Sequence, residues 1–192
     1  MCIRDRNIIV VFGTTLMLIL LNACGADDLE TTLPLTGING EWTAVSFTTD
    51  IKSEVGDETE ITRSQSSVTG YNFDYNLIID ENKWTSNGSY ETDISAQTNG
   101  VITETTTKSY DNINGNGSYT TDNNTITVEG NLFQYEMIGL GITTINNDNL
   151  YATYEINDDG DLIFTQEESA ESSINGFTIR TTLQSSSVWV RN

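Results

Sequence analysis

Thr69-Gly-Tyr-Asn-Phe-Asp-Tyr-Asn-Leu-Ile-Ile-Asp80 is the most regular stretch of this chain. Tyr71, Phe73, Tyr75, Leu77 and Ile79 fall on one side of an extended backbone, and Asn72, Asp74, Asn76 and Asp80 fall on the other. Successive side chains of a strand point to opposite faces, so one dry and one wet side at period two predicts a half-buried strand of an antiparallel sheet. The alternation returns in Leu150, Ala152, Tyr154 and Ile156, and again in Phe177, Ile179, Thr181 and Leu183. Shorter versions sit at Ile126/Val128, Phe133/Tyr135/Met137 and Leu162/Phe164, and no segment after residue 39 carries a helical period.

Working outward from these strands, Asn-Gly occurs at Asn39-Gly40, Asn87-Gly88, Asn99-Gly100, Asn114-Gly115, Asn116-Gly117 and Asn175-Gly176. Both residue types tolerate the positive φ that tight hairpins demand, so each pair is read as a turn. Asp122-Asn123-Asn124 and Asp158-Asp159-Gly160 add two more. The polar run Ser53 to Ser67 and the stretch Gly139 to Asn149 read as long loops. Asn87-Gly-Ser-Tyr-Glu-Thr-Asp93 and Asn116-Gly-Ser-Tyr-Thr-Thr-Asp122 differ at a single position and read as one bend-then-strand solution used twice. The expectation is an all-β domain of eight to ten antiparallel strands over residues 39–192. A meander of that length has two exposed edges unless it closes on itself, which favours an up-and-down barrel.

Charge and composition narrow the function. The chain has 28 acidic and 8 basic residues, a formal net charge of −20. Such a surface repels phosphate backbones and anionic headgroups, so nucleic acid is excluded as a partner and a basic membrane-binding face is absent. There is no His, and the two cysteines are Cys2 and Cys24. Ser-His-Asp and Cys-His catalysis are therefore excluded, as are zinc sites built on imidazole. Neither a cofactor nor a metal is expected. In Asn157-Asp158-Asp159-Gly160-Asp161 the Gly comes fourth, whereas an EF-hand loop needs it sixth, so these residues read as a hairpin turn. Paired acids such as Glu167-Glu168 could serve a glycosidase. In so acidic a chain they are read as solvated charges instead, and no enzyme is expected.

The N-terminus reads as an address. The apolar run Ile8 to Leu21 is too short to span a bilayer and has the form of a secretory signal. Its end, Leu21-Asn22-Ala23-Cys24, resembles the lipobox of bacterial lipoproteins. That resemblance implies cleavage before Cys24, removal of residues 1–23 and acylation of Cys24 with palmitate-type chains. Of the 28 acidic and 8 basic residues, Asp5, Arg4 and Arg6 precede Cys24, leaving 27 acidic and 6 basic residues and a net charge of −21. Met1 to Arg6, MCIRDR, resembles a prefix carried by unrelated assembled sequences and reads as translated adapter. Residues 24–38 read as a lipidated Cys and tether. Ala26-Asp27-Asp28 resembles the surface-export signal of Bacteroidetes lipoproteins, the alternative being a plain soluble spacer. Gly25 in the second mature position favours the outer membrane.

Gly40-Glu41-Trp42 at the start of the domain and Trp189-Val190-Arg191 at its end resemble the lipocalins, in particular lipocalin-like lipoproteins of Bacteroidetes. Gly117-Ser118-Tyr119 followed by Asn124-Thr125-Ile126-Thr127-Val128 fits that subgroup's pattern. The resemblance implies that Trp42 closes one end of the barrel with Arg191 across its ring. It also implies a small apolar or amphipathic ligand inside, lined by Tyr71, Phe73, Tyr75, Leu77, Trp84, Tyr90, Phe133, Tyr135 and Tyr154. The other reading of those rings is that they fill the core, leaving a protein or glycan partner to be met by the loops. In either case a monomer held to the membrane only by its acyl anchor is expected.

Overall fold

The computed structural model describes residues 37–57, 59–140 and 149–192. The expectations for the signal, Cys24 and most of the tether lie outside the described residues.

Among the described residues eight strands run β1 (Gly40–Gly56), β2 (Ile61–Asp80), β3 (Lys83–Thr98), β4 (Val101–Asp122), β5 (Thr125–Glu129), β6 (Asn149–Ile156), β7 (Leu162–Ile174) and β8 (Phe177–Arg191). Each pairs antiparallel with the next, and β8 pairs with β1, so the meander closes into an all-β up-and-down barrel. Strand lengths are unequal: β4 has 22 residues and β5 only 5. β5 pairs with β4 only along Tyr119–Asp122. All eight strands therefore ring the barrel at one end, which we call the base. Toward the other end the wall is the six-stranded sheet β4-β3-β2-β1-β8-β7, and the hairpins β1–β2, β3–β4 and β7–β8 project as tips.

The barrel's main core is apolar, with Thr49, Ser53, Ser66, Thr92 and Thr181 also buried, and its outer face is mostly polar. Trp42, Leu77, Val128, Leu162 and Trp189 are essentially inaccessible, while Asp74, Asp93, Asp111 and Asn114 are exposed on the outer face. A membrane-spanning barrel has the opposite arrangement, an outward apolar band around a polar interior.

Strand parity is not constant along the sequence. In β1, Trp42 and Ala44 point inward, but so do Phe47, Thr49 and Ile51. The register shifts between Ala44 and Ser46 against β8, and Val45 is pushed outside. In β2 a bulge at Asn72, with φ 52°, separates inward Ser66 and Val68 from inward Tyr75, Leu77 and Ile79. Asn112, with φ 55°, does the same in β4. An extra residue in one strand bends it and flips every side chain beyond it, which lets long strands curve around a small barrel.

Several expectations change accordingly. Ser53 to Ser67 is mostly strand, because the β1–β2 hairpin turns only between Gly56 and Ile61. Asn99-Gly100 and Asn175-Gly176 do turn hairpins, as do Asn123-Asn124 and Asp158-Asp159-Gly160. Asn87-Gly88, Asn114-Gly115 and Asn116-Gly117 lie inside strands, and Asn39-Gly40 leads into β1. The reason at β4 is packing. The Trp84 indole lies so close that an added Cβ would come within 2.9 Å of it at Gly115 and 2.6 Å at Gly117. These glycines provide room for a ring rather than a turn. The near-repeat is likewise continuous strand in both copies, with Tyr90 and Tyr119 as its buried inward residues.

Candidate functional site

Phe133 and Tyr135, expected on a strand, belong to none. Beyond the bridge at Gly130 the chain leaves the sheet, and residues 131–140 follow an irregular path into the barrel. The hydrophobic effect explains the departure. Leu132 and Phe133 are apolar neighbours in sequence, and a strand would have faced one of them to water, whereas both are buried here.

Phe133 lies in a cage of rings. It stacks on Phe47 at 4.2 Å between centroids, with Trp189 at 5.1 Å, Tyr75 and Tyr90 at 5.4 Å and Phe73 at 6.2 Å. Tyrosine hydroxyls then hold the backbone of the inserted segment, which has no sheet partner to satisfy it. Tyr75 donates to the Leu132 carbonyl at 2.6 Å. Tyr90 donates to the Gln134 carbonyl at 2.5 Å and accepts from the Gln134 amide at 2.7 Å. The Tyr110 hydroxyl accepts from the Glu136 amide at 3.1 Å, and Ser66 accepts from the Ile138 amide at 3.3 Å. Lys108 pairs with Glu136 at 3.2 Å. Burial pushes the hydroxyls of Tyr75 and Tyr90 above the usual phenol range, that of Tyr90 the more strongly.

The residues expected to line a ligand site thus have separate fates. Phe73, Tyr75, Tyr90, Phe133 and Tyr135 come together, and Leu77 is part of the same core. Tyr71 does not join them. The bulge at Asn72 turns it outward, where its hydroxyl reaches Asp93 at 3.3 Å. Trp84 is buried beneath the glycines of β4, toward the base. Tyr154 reaches the Asn123 carbonyl at 3.0 Å, also at the base. Phe47, Tyr110 and Trp189 complete the cage and were not among the expected lining residues. Phe47 is hidden from a period-two reading because the bulge near Val45 reverses its parity. Beside the cage the described residues leave a cavity of about 30 Å³, lined among others by Phe133, Phe164, Gln166 and Ser187. That admits a water molecule or two, not a lipid.

At the base, the Arg191 guanidinium carbon lies 4.2 Å from the Trp42 ring centroid. Arg191 donates to the carbonyls of Asn39 at 3.1 Å and Gly37 at 2.8 Å, and the Trp42 indole donates to the Ile38 carbonyl at 2.9 Å. Ile38, expected in the tether, is buried in the core. Residues 37–39 are thereby strapped across Trp42, which makes the base the end at which the chain enters the domain.

No family model and no curated protein matches the chain. Among solved structures it is similar to Ail, the attachment invasion locus protein of Yersinia pestis, at 9% identity over 80% of this chain and 100% of that one. The TM-score is 0.20, too low for any inference from that protein to this one.

Proposed function

We propose that this chain is a lipid-anchored lipoprotein of the cell envelope, acylated at Cys24, whose lipocalin-like barrel works by contact rather than by catalysis or by carrying a ligand inside. The observation that carries the reading is the occupation of the interior by the chain's own Phe133, stacked on Phe47 within the ring cage, beside a cavity of about 30 Å³. The mostly polar outer wall supports attachment through acyl chains instead of insertion of the barrel. The Leu-x-Ala-Cys ending supports Cys24 as the anchored residue. An outer-membrane protein held in this way would present its hairpin end to a protein or glycan partner.

Two measurements test this. Metabolic labelling with an alkyne fatty acid should tag the full chain and fail on Cys24→Ala; equal labelling of both would end the anchor reading. Native mass spectrometry of the full chain released from detergent should give the acylated mass alone, before and after exposure to fatty acids, retinoids and haem. A retained guest that quenches tryptophan fluorescence would overturn the filled barrel and restore the ligand-binding one.

A further inference from the structure

Of the ten large hydrophobic residues exposed among the described residues, five stand at the hairpin tips, the others being Val45, Met137, Tyr151, Ile156 and Val190. Ile61 flanks the β1–β2 turn and is 45% exposed; Val101 and Ile102 follow the β3–β4 turn at 66% and 62%; Ile174 and Phe177 bracket the β7–β8 turn at 49% and 48%. Turn-flanking positions of a soluble barrel are ordinarily polar, and each exposed apolar residue here forgoes hydration that Ser or Thr would keep. Single exposed apolar residues need no explanation, but a cluster at one end does.

The three tips lie side by side. Gly56 pairs with Thr178, which joins the β1–β2 tip to the β7–β8 tip. The Asn99 amide donates to the Arg63 carbonyl at 2.7 Å, and the Arg63 amide donates to the Asn99 side chain at 2.9 Å, which joins β3–β4 to β2. A surface groove of about 450 Å³ lies at the junction of the first two tips, walled among others by Glu54, Asp57, Ile61, Gly176, Thr178 and Arg180. The site is also negatively charged. Arg63 and Arg180 are already paired, with Glu54 at 2.8 Å and Glu171 at 2.7 Å. Among the described residues Asp57, Glu60 and Glu104 have no ion pair. Hydrogen bonds from Thr59 hold the Asp57 carboxyl below its usual range. The tips stand at the far end of the domain from Gly37, the length of the 17-residue β1 away, about 55 Å along the strand.

We infer that this end of the barrel is the docking surface for a protein partner that presents basic and apolar side chains together. The apolar tip residues would be covered by its hydrophobic side chains, and a Lys or Arg would enter the groove beside Asp57. Charge complementarity favours that partner over a second copy, since two chains of net charge −20 repel. It also favours it over an anionic membrane surface. The inference rests on the contact reading of the barrel and names the partner's chemistry.

The test titrates the full chain, in maltoside micelles, into fluorescein-labelled 18-residue peptides, with empty micelles as the blank. One peptide is built of Leu and Lys, the other of Ser and Lys with equal charge. The wild type should bind the Leu/Lys peptide at least tenfold more tightly than the variant Ile102→Ser/Ile174→Ser/Phe177→Ser. Asp57→Asn/Glu60→Gln/Glu104→Gln should weaken it severalfold and flatten its salt dependence. The Ser/Lys peptide should not distinguish the wild type from the apolar variant. Equal affinity of the wild type and the apolar variant for the Leu/Lys peptide would overturn the docking surface, as would no binding at all. Tip-dependent binding of a neutral oligosaccharide in place of the peptide would overturn the partner's class. The native mass of the chain is read separately, so a bare barrel whose tips ignore the peptide sinks this inference alone, and a retained guest sinks the contact reading.

Discussion

Asn72 and Asn112 hold φ values of 52° and 55° within β2 and β4. Few side chains accept that conformation; Asn does so because its short amide can satisfy nearby backbone groups, and a β-branched residue does so only under strain. Each Asn reverses the parity of a long strand, so each decides which residues face the core. Asn72→Val should therefore cost about 1–2 kcal/mol of stability, while Asn72→Gly should stay within about 0.5 kcal/mol of the wild type. Urea unfolding followed by tryptophan fluorescence measures both. Equal stability of the Val and Gly variants would show that the bulge is not held by this dihedral.

At the scale of the element, residues 131–138 take the role of an inner layer that no strand supplies. A barrel of eight strands must fill its interior with side chains or enclose something. Here the wall supplies a cage and the β5–β6 connection supplies its occupant. Phe133→Ala should cost about 3–5 kcal/mol and leave an apolar void among Phe47, Tyr75, Tyr90 and Trp189. Such voids stay dry and accept small aromatic molecules. Toluene should accordingly raise the melting temperature of the variant and leave the wild type unchanged. A variant that melts like the wild type would mean that the segment is not seated by its ring.

For the whole molecule, the buried tyrosines link stability to pH. In the unfolded chain Tyr75 and Tyr90 ionise near 10.0, whereas in the barrel burial raises both above that. Above pH 10 the folded state holds protons that the unfolded state has released, so the stabilisation is complete below that pH and is lost as pH rises. Each group contributes a slope of up to about 1.4 kcal/mol per pH unit. Unfolding free energies between pH 9 and 12, with tyrosinate absorbance in parallel, should fall from pH 10 upward, and Tyr75→Phe should fall less steeply than the wild type. A flat profile to pH 11 would remove these two groups from the account.

Much of the architecture was legible because antiparallel strands are local. The alternation from Phe73 to Ile79 and the turns at Asn99-Gly100 and Asn175-Gly176 depend on neighbours in sequence, and they suffice for an all-β meander. Closure by β1–β8 pairing followed from the cost of open edges. What the sequence could not display was anything decided by a distant neighbour. Asn-Gly is the same dipeptide at a hairpin and in β4, and only the Trp84 ring lying on Gly115 and Gly117 separates the two uses. Tyr71 looks like Phe73 until a single extra residue turns it to solvent. The alternation of Phe133 and Tyr135 fits a strand equally well, and it was the empty centre of a closed barrel that drew Phe133 inside. Local periodicity, then, determined the class of fold and its strands, because backbone pairing and burial of one face act over a few residues. Tertiary structure alone decided whether the interior is a pocket or a core, because filling that volume brings together rings from residues 47, 75, 90, 133 and 189.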